Sequence, residues 1–200
     1  MSKMIRKAST FEIINHWVLA VSCIFLAVSG FAFLFHLEQL NTVFGSFATL
    51  KVLHNWIGVV FVVSLLSTVS HYLPVALNLS SDDLVWLSKG GGYIIKNVKL
   101  PEQDIINSGQ KLYYLAILGA GVLISISGFI IWLLPGFKTL ILISHLLHNV
   151  SFIVFVMAIP IHAYLASIAN PGTFRIMVQG TVPLEWARKR HGKWIKRLGY

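Results

Sequence analysis

The sequence predicts an all-α membrane protein: a four-transmembrane-helix bundle with both termini cytoplasmic. Three observations carry this expectation: long apolar runs, scarce charge, and a lopsided distribution of the charge that remains. The chain is 56% apolar and 12% charged, whereas soluble domains run at about 45–50% and about 25%. Apolar runs cover roughly 13–35, 52–76, 111–135 and 139–168. Each exceeds the ~20 residues that cross a hydrocarbon core at about 1.5 Å per residue. Backbone in lipid must satisfy its own hydrogen bonds, so each run is read as a helix. Together they form one integral-membrane domain over 1–200, ending in a basic cytoplasmic tail at 170–200.

A net charge of +9 raises the question of nucleic acid, but the placement of that charge excludes it. Lys3, Arg6 and Lys7 precede the first run. Lys89, Lys96, Lys99 and Lys111 lie between the second and third, and seven more basic residues from Arg175 to Arg197 follow the fourth. The other two connections hold only Lys51 and Lys138. Basic residues gather on the cytoplasmic side of membrane proteins, which sets the orientation. The apolar run from Ile13 is too long for a signal-peptide core and has no A-x-A-like cleavage site. Cys23 is the single cysteine, so no disulfide or thiolate metal set is available, and it reads as lipid-facing or packing filler.

In order along the chain, helix one ends around "GFAFLF" and a short outer loop follows from His36 to about Lys51. Helix two runs inward and stops near "HYLPV". The cytoplasmic connection 78–110 contains "SSDDLVWLSKGGGYIIKNV", where Ser81 with Asp82 and Asp83 offers an N-cap before Trp86 and Tyr93. That pattern predicts a short interfacial helix. Helix three carries Gly119, Gly121 and Gly128, which allow close helix packing. Pro160 removes a backbone donor from helix four and is expected to kink it. The tail, with Trp186 and Trp194, suits anionic headgroups or a partner surface.

Histidine inside a membrane is costly and marks function. Helix four carries His148 and His162, fourteen residues apart. At about 100° per residue they share one face, roughly 21 Å apart along the axis. Each needs a partner at its own depth. Helix two starts outside with His54, and helix one starts inside with His16. The expected pairs are therefore His54 with His148 at the outer level and His16 with His162 at the inner level. Facing imidazole pairs in a bundle are what two b-type haems require as axial ligands. Gly30 and Gly58 would let a flat macrocycle approach the helices, though plain helix contact explains each equally well. His145 is expected to pack near the outer haem or contact a propionate, His71 to lie at the interface, and His36 and His191 in solvent. Zinc fits poorly, since neither pair has a carboxylate or thiolate nearby. A proton relay would want intramembrane carboxylates, and Glu12 at an edge is the one present.

Several segments carry a family resemblance: "NHW" opening helix one, "VLHNWIGVVF" opening helix two, "NSGQK" leading into helix three, "SGFIIW", the two histidines of helix four, and the tail "EWARKRHGKW". With these the chain resembles the di-haem cytochrome b (gamma) subunit of membrane-bound formate dehydrogenase, a protein of the bacterial inner membrane. The resemblance implies two haems b and partnership with an iron-sulfur beta subunit and a catalytic alpha subunit that oxidises formate. It also implies delivery of electrons to quinone, menaquinone in that family, near the cytoplasmic face. It puts Asn107, Gly109 and Gln110 at the quinone site beside His162. Side-chain amides and a backbone N–H suit quinone carbonyls, while Asn107 or Ser108 as a helix N-cap would use the same residues. The two uses are compatible. Three alternatives remain: the cytochrome b of a nickel-iron hydrogenase, a stand-alone di-haem cytochrome, and a haem-free transporter or membrane anchor.

Overall fold

The computed structural model describes residues 3–94 and 98–200, apart from the side chain of Asn41. Lys96, part of the predicted charge asymmetry, lies outside them. Among the described residues the order is β1 (Met4–Arg6), α1 (Thr10–Phe35), α2 (Glu38–Phe44), α3 (Phe47–Leu77), α4 (Ser81–Ser88), a 3-10 turn (Gly90–Gly92), α5 (Ser108–Leu133), α6 (Lys138–Ala166), α7 (Ile176–Gln179), β2 (Thr181–Pro183), α8 (Leu184–Arg190) and α9 (Gly192–Arg197). Helices α1, α3, α5 and α6 are long and apolar enough to cross a membrane. Three of them begin earlier than hydropathy alone predicts, because polar caps extend them. Ser9 and Glu12 form a reciprocal capping box at α1, Ser46 caps α3 through the N–H of Thr49, and Asn107 with Gln110 does the same for α5. Both Pro74 in α3 and Pro160 in α6 lie inside helix that continues past them.

The chain divides into two compact units. One comprises Ile14–Val69 and Ile117–Ala163 and contains the middle of the four long helices. Its packing inverts that of a soluble protein. Val21, Val63, Leu142 and Met157 are exposed, while Ser22, Ser29, Ser64, Ser127, Ser144 and Ser151 are buried. Small side chains let helices approach closely where lipid supplies no hydrophobic drive. Several of these serines return their hydroxyl proton to the preceding turn: Ser22 to Leu19 O, Ser29 to Phe25 O and Ser127 to Leu123 O. A small apolar cluster of Phe61, Leu65, Ala120 and Phe155 fills the middle.

The other unit comprises Met1–Ile13, Ser70–Ala116 and Tyr164–Tyr200. Helix α4 is the short helix expected in the long connection, although its cap is Ser80, with Asp83 completing a capping box. Asp83 is buried and accepts from Ser80, Ser108 and Lys111, the last at 2.9 Å. Lys111 also donates to Asn78 O. These hydrogen bonds hold the Asp83 carboxyl below the ordinary carboxylate range despite its burial. The tail folds back rather than lying free. Strand β2 pairs antiparallel with β1, around a core of Ile5, Val182, Leu184, Ala187, Trp194 and Ile195. Part of its basic charge is used internally: Lys193 pairs with Asp82, Lys196 with Glu102 and Arg197 with Asp104. Arg188 and Lys189 remain exposed.

The expectation of a solvated His191 is corrected here. It is 3% exposed, and its ring lies beside Trp186 and Trp194. Its Nδ1 faces Asp104 O at 2.5 Å, so that nitrogen carries the proton, and Nε2 accepts from Lys7 at 2.6 Å. Burial, and then the Lys7 charge, pushes His191 down to about 3. Burial, and then Arg190, pushes Lys7 down to about 7. Both values fall below the unfolded ones, so folding releases protons and stability rises with pH between the two. That window runs from about 3 to 6.5 for His191 and from about 7 to 10.5 for Lys7. Thermal unfolding followed by tryptophan fluorescence should therefore shift upward from about pH 7 to about pH 9.5. Lys7→Met should flatten that rise.

Candidate cofactor site

In the unit containing the middle of the long helices, histidines from different helices face one another in two pairs. His54 on α3 and His148 on α6 have ring centroids 6.4 Å apart. His16 on α1 and His162 on α6 lie 6.2 Å apart. Two imidazoles ligating one metal from opposite sides, each nitrogen about 2 Å away, have centroids roughly 6 Å apart. Both pairs have that separation. On α6 the order is His148, Phe155, His162 at intervals of seven residues, which keeps all three on one face. Phe155 meets Phe61 edge-on at 5.7 Å, seven residues beyond His54 on α3. An aromatic contact thus stands between the two imidazole levels.

The neighbours of the first pair set its chemistry. Ser29 gives its hydroxyl proton to Phe25 O, so its oxygen accepts from His54 Nδ1–H at 2.6 Å. His148 Nδ1 faces Ile124 O at 3.1 Å and Ser127 Oγ at 3.2 Å. A carbonyl can only accept, so His148 also carries its proton on Nδ1. Each ring therefore keeps Nε2 as the lone-pair nitrogen, the form that binds a metal, with its other nitrogen anchored. At the second pair, Asn15 on α1 donates to Ser64 O and Thr68 Oγ1 on α3, fixing the helix turn that carries His16. His16 Nδ1 is buried without a hydrogen-bond partner among the described residues.

A cleft opens at the first pair, lined by His54, His148, Gly30, Gly58, Phe61 and Trp132 among others. A Cβ added at Gly58 would meet nothing within 4 Å, so this glycine opens the cleft. Gly30 has a second duty, because a Cβ there would press Phe152 at 3.3 Å. Gly128 makes room for the His148 ring, whose Cε1 would lie 3.1 Å from an added Cβ. Cys23 also lines the cleft. Among the described residues no three His, Cys, Asp or Glu gather as a metal set. Two-imidazole ligation of a flat, apolar cofactor is the chemistry these residues fit.

The remaining candidates fall elsewhere. His145 and His36 are exposed, and His71 is exposed beside Glu12. In the other unit, Asn107 and Gln110 serve the α5 cap: each backbone N–H donates to the other's side-chain oxygen. Their amide NH2 groups, two donors each, are not used by that cap. At Gly109 a Cβ would press Trp86 at 3.0 Å, so close packing already accounts for the glycine. Sequence reasoning missed Ser29, Ser127 and Asn15. A serine one helix away from a histidine leaves no mark in linear spacing.

Facing imidazole pairs within a four-helix membrane bundle are the arrangement of a b-type cytochrome. Comparison with known proteins makes this specific. Residues 7–180 match the prokaryotic cytochrome b561 family. The formate dehydrogenase cytochrome b556(fdo) subunit of Escherichia coli (strain K12) is 32% identical, over 94% of this chain and 90% of its own length. The nitrate-inducible cytochrome b556(Fdn) subunit from the same strain is 28% identical, over 98% and 93%. The formate dehydrogenase cytochrome b556 subunit of Haemophilus influenzae is 27% identical, over 92% and 79%. The chain belongs to the prokaryotic cytochrome b561 family. It is a multi-pass protein of the bacterial inner membrane, and its family is one that binds haem b.

Gly58→Leu tests the cleft. The cleft accepts the added side chain without a clash at Cβ, so folding and the His16–His162 end should be retained. Absorbance per chain at the haem band should fall, because leucine occupies space a macrocycle needs.

Proposed function

We propose that this chain is the membrane cytochrome b subunit of a formate dehydrogenase. In this reading it accepts electrons from an iron-sulfur beta subunit, which receives them from the formate-oxidising alpha subunit, and it passes them to quinone near the cytoplasmic face. The observation that carries the reading is the double imidazole pair, one at each end of a single face of α6. His54 and His148 would hold one haem b, and His16 and His162 the other. When bound, these haems supply one-electron carriers, which imidazole nitrogen favours as axial ligand. The protein's own part is to fix ring orientation through Ser29, Ser127 and Ile124 O. It also keeps water away with the Phe61–Phe155 contact.

The termini and the tail 170–200 lie in the cytoplasm, and the whole chain works as one membrane domain. Asn107, Gly109 and Gln110 form the quinone site, with the two amide NH2 groups donating to carbonyl oxygen while the cap keeps them in place. Menaquinone takes two electrons and two protons to become the quinol. Moving an electron inward against the membrane potential costs about 2.3 kcal/mol per 100 mV, which a strongly reducing donor can meet. The three relatives' shared naming as formate dehydrogenase subunits favours formate as the source of electrons.

Asn107→Ser separates the two duties, because serine also caps helices but brings no amide. In the purified complex, formate-driven reduction of a menaquinone analogue should show KM raised about tenfold, the loss of one hydrogen bond of roughly 1.4 kcal/mol. Formate-driven reduction of an artificial dye should not change. Unaltered quinone kinetics would assign Asn107 to the cap alone.

A further inference from the structure

Glu12 and His71 stand apart in the sequence as the edge carboxylate and the unpaired interfacial histidine, and neither ligates anything in the reading above. The structure brings them together in one unit with Tyr72. Glu12 Oε2 accepts from the backbone N–H of Ser9 at 2.7 Å, which fixes the carboxylate. Its other oxygen, Oε1, accepts from the Tyr72 hydroxyl at 2.5 Å and lies 3.3 Å from His71 Nε2. One carboxylate oxygen thus joins an imidazole that is 61% exposed to a half-buried phenol, while Glu12 itself is 19% exposed. The Tyr72 ring packs on Tyr114 of α5 at 6.3 Å. Tyr114 is one helical turn after Gln110.

We propose that His71, Glu12 and Tyr72 form a proton-uptake relay from solvent toward the quinone. The proposal rests on the quinone-reduction reading above. A proton taken up by His71 passes from Nε2 to Glu12 Oε1. The neutral carboxylic acid then becomes the donor and reverses its bond to Tyr72. The phenol oxygen accepts that proton as its own leaves for the reduced quinone oxygen. Each passage restores all three side chains to their starting forms. Two passages, with two electrons from formate oxidation, complete the quinol. An exposed entry group, a fixed carboxylate and a phenol that both donates and accepts are what such a shuttle needs. The helix cap alone accounts for Glu12 Oε2. It does not account for Oε1 being shared between imidazole and phenol.

The test uses the intact dehydrogenase complex with a menaquinone analogue. Glu12→Gln keeps the capping box, which accepts glutamine, and Tyr72→Phe keeps the ring contacts with Tyr114 and His71. Each variant should slow formate-driven quinone reduction at least about tenfold. Formate-driven haem reduction should stay at the wild-type rate, and the H2O/D2O rate ratio for quinone reduction should rise. A purely structural role would not move that ratio. Wild-type quinone rates and isotope ratios in both variants would overturn the relay. If the wild-type complex reduces its haems but no quinone, the quinone reading falls and the relay with it. Should Glu12→Gln lose its haem through misfolding, Tyr72→Phe decides the matter by the same readouts.

Discussion

Everything in the long helices follows from one constraint: a polar group taken into lipid must find its partner inside the protein. Leucine and valine gain nothing by burial when the solvent is itself hydrocarbon, so they face outward. The interior goes to serines, which bond back to their own helix, and to imidazoles. An imidazole has two nitrogens to satisfy. At the His54–His148 pair, one nitrogen of each ring is met by serine oxygen or a carbonyl, and the other is left as a lone pair. The same rule that makes buried histidine expensive therefore prepares it as a ligand.

The constraint also explains what could be read from linear sequence. The four spans are long apolar runs, so composition finds them. The histidine pairs follow from a fourteen-residue interval on one helix and from the alternating direction of the others. Both are simple periodic facts. The groups that orient His54 and His148 escape such reasoning because Ser29 and Ser127 are ordinary small residues of a membrane helix until a second helix is laid beside them. Ile124 contributes only its backbone.

The long connection and the tail were less legible for a different reason. A run such as "EWARKRHGKW" reads as a charged surface, yet its apolar positions close a small core with β1. Its Lys193, with Lys196 and Arg197 just beyond it, finds carboxylates far away in sequence. Pairings at separations near one hundred residues are set by tertiary folding, not by local pattern. His191 is buried by the same closure, between two tryptophans that flank it in sequence and whose role only the fold reveals.

A division of labour results. Rigid helix faces hold the imidazole pairs, and the Phe61–Phe155 contact keeps the two levels apart. The loop-and-tail unit carries the polar groups that manage caps and, in the proposed reading, quinone and protons. Asn107 illustrates the economy: its oxygen holds a helix end and its amide NH2 remains for another purpose. The measurement that tests this account most directly is haem per chain by pyridine haemochrome, in the wild type and in single His→Ala variants at positions 16, 54, 148 and 162. Two haems b in the wild type, falling to one in each variant, are expected. A wild type with one haem or none, or a His54→Ala or His162→Ala protein that keeps two, would contradict it.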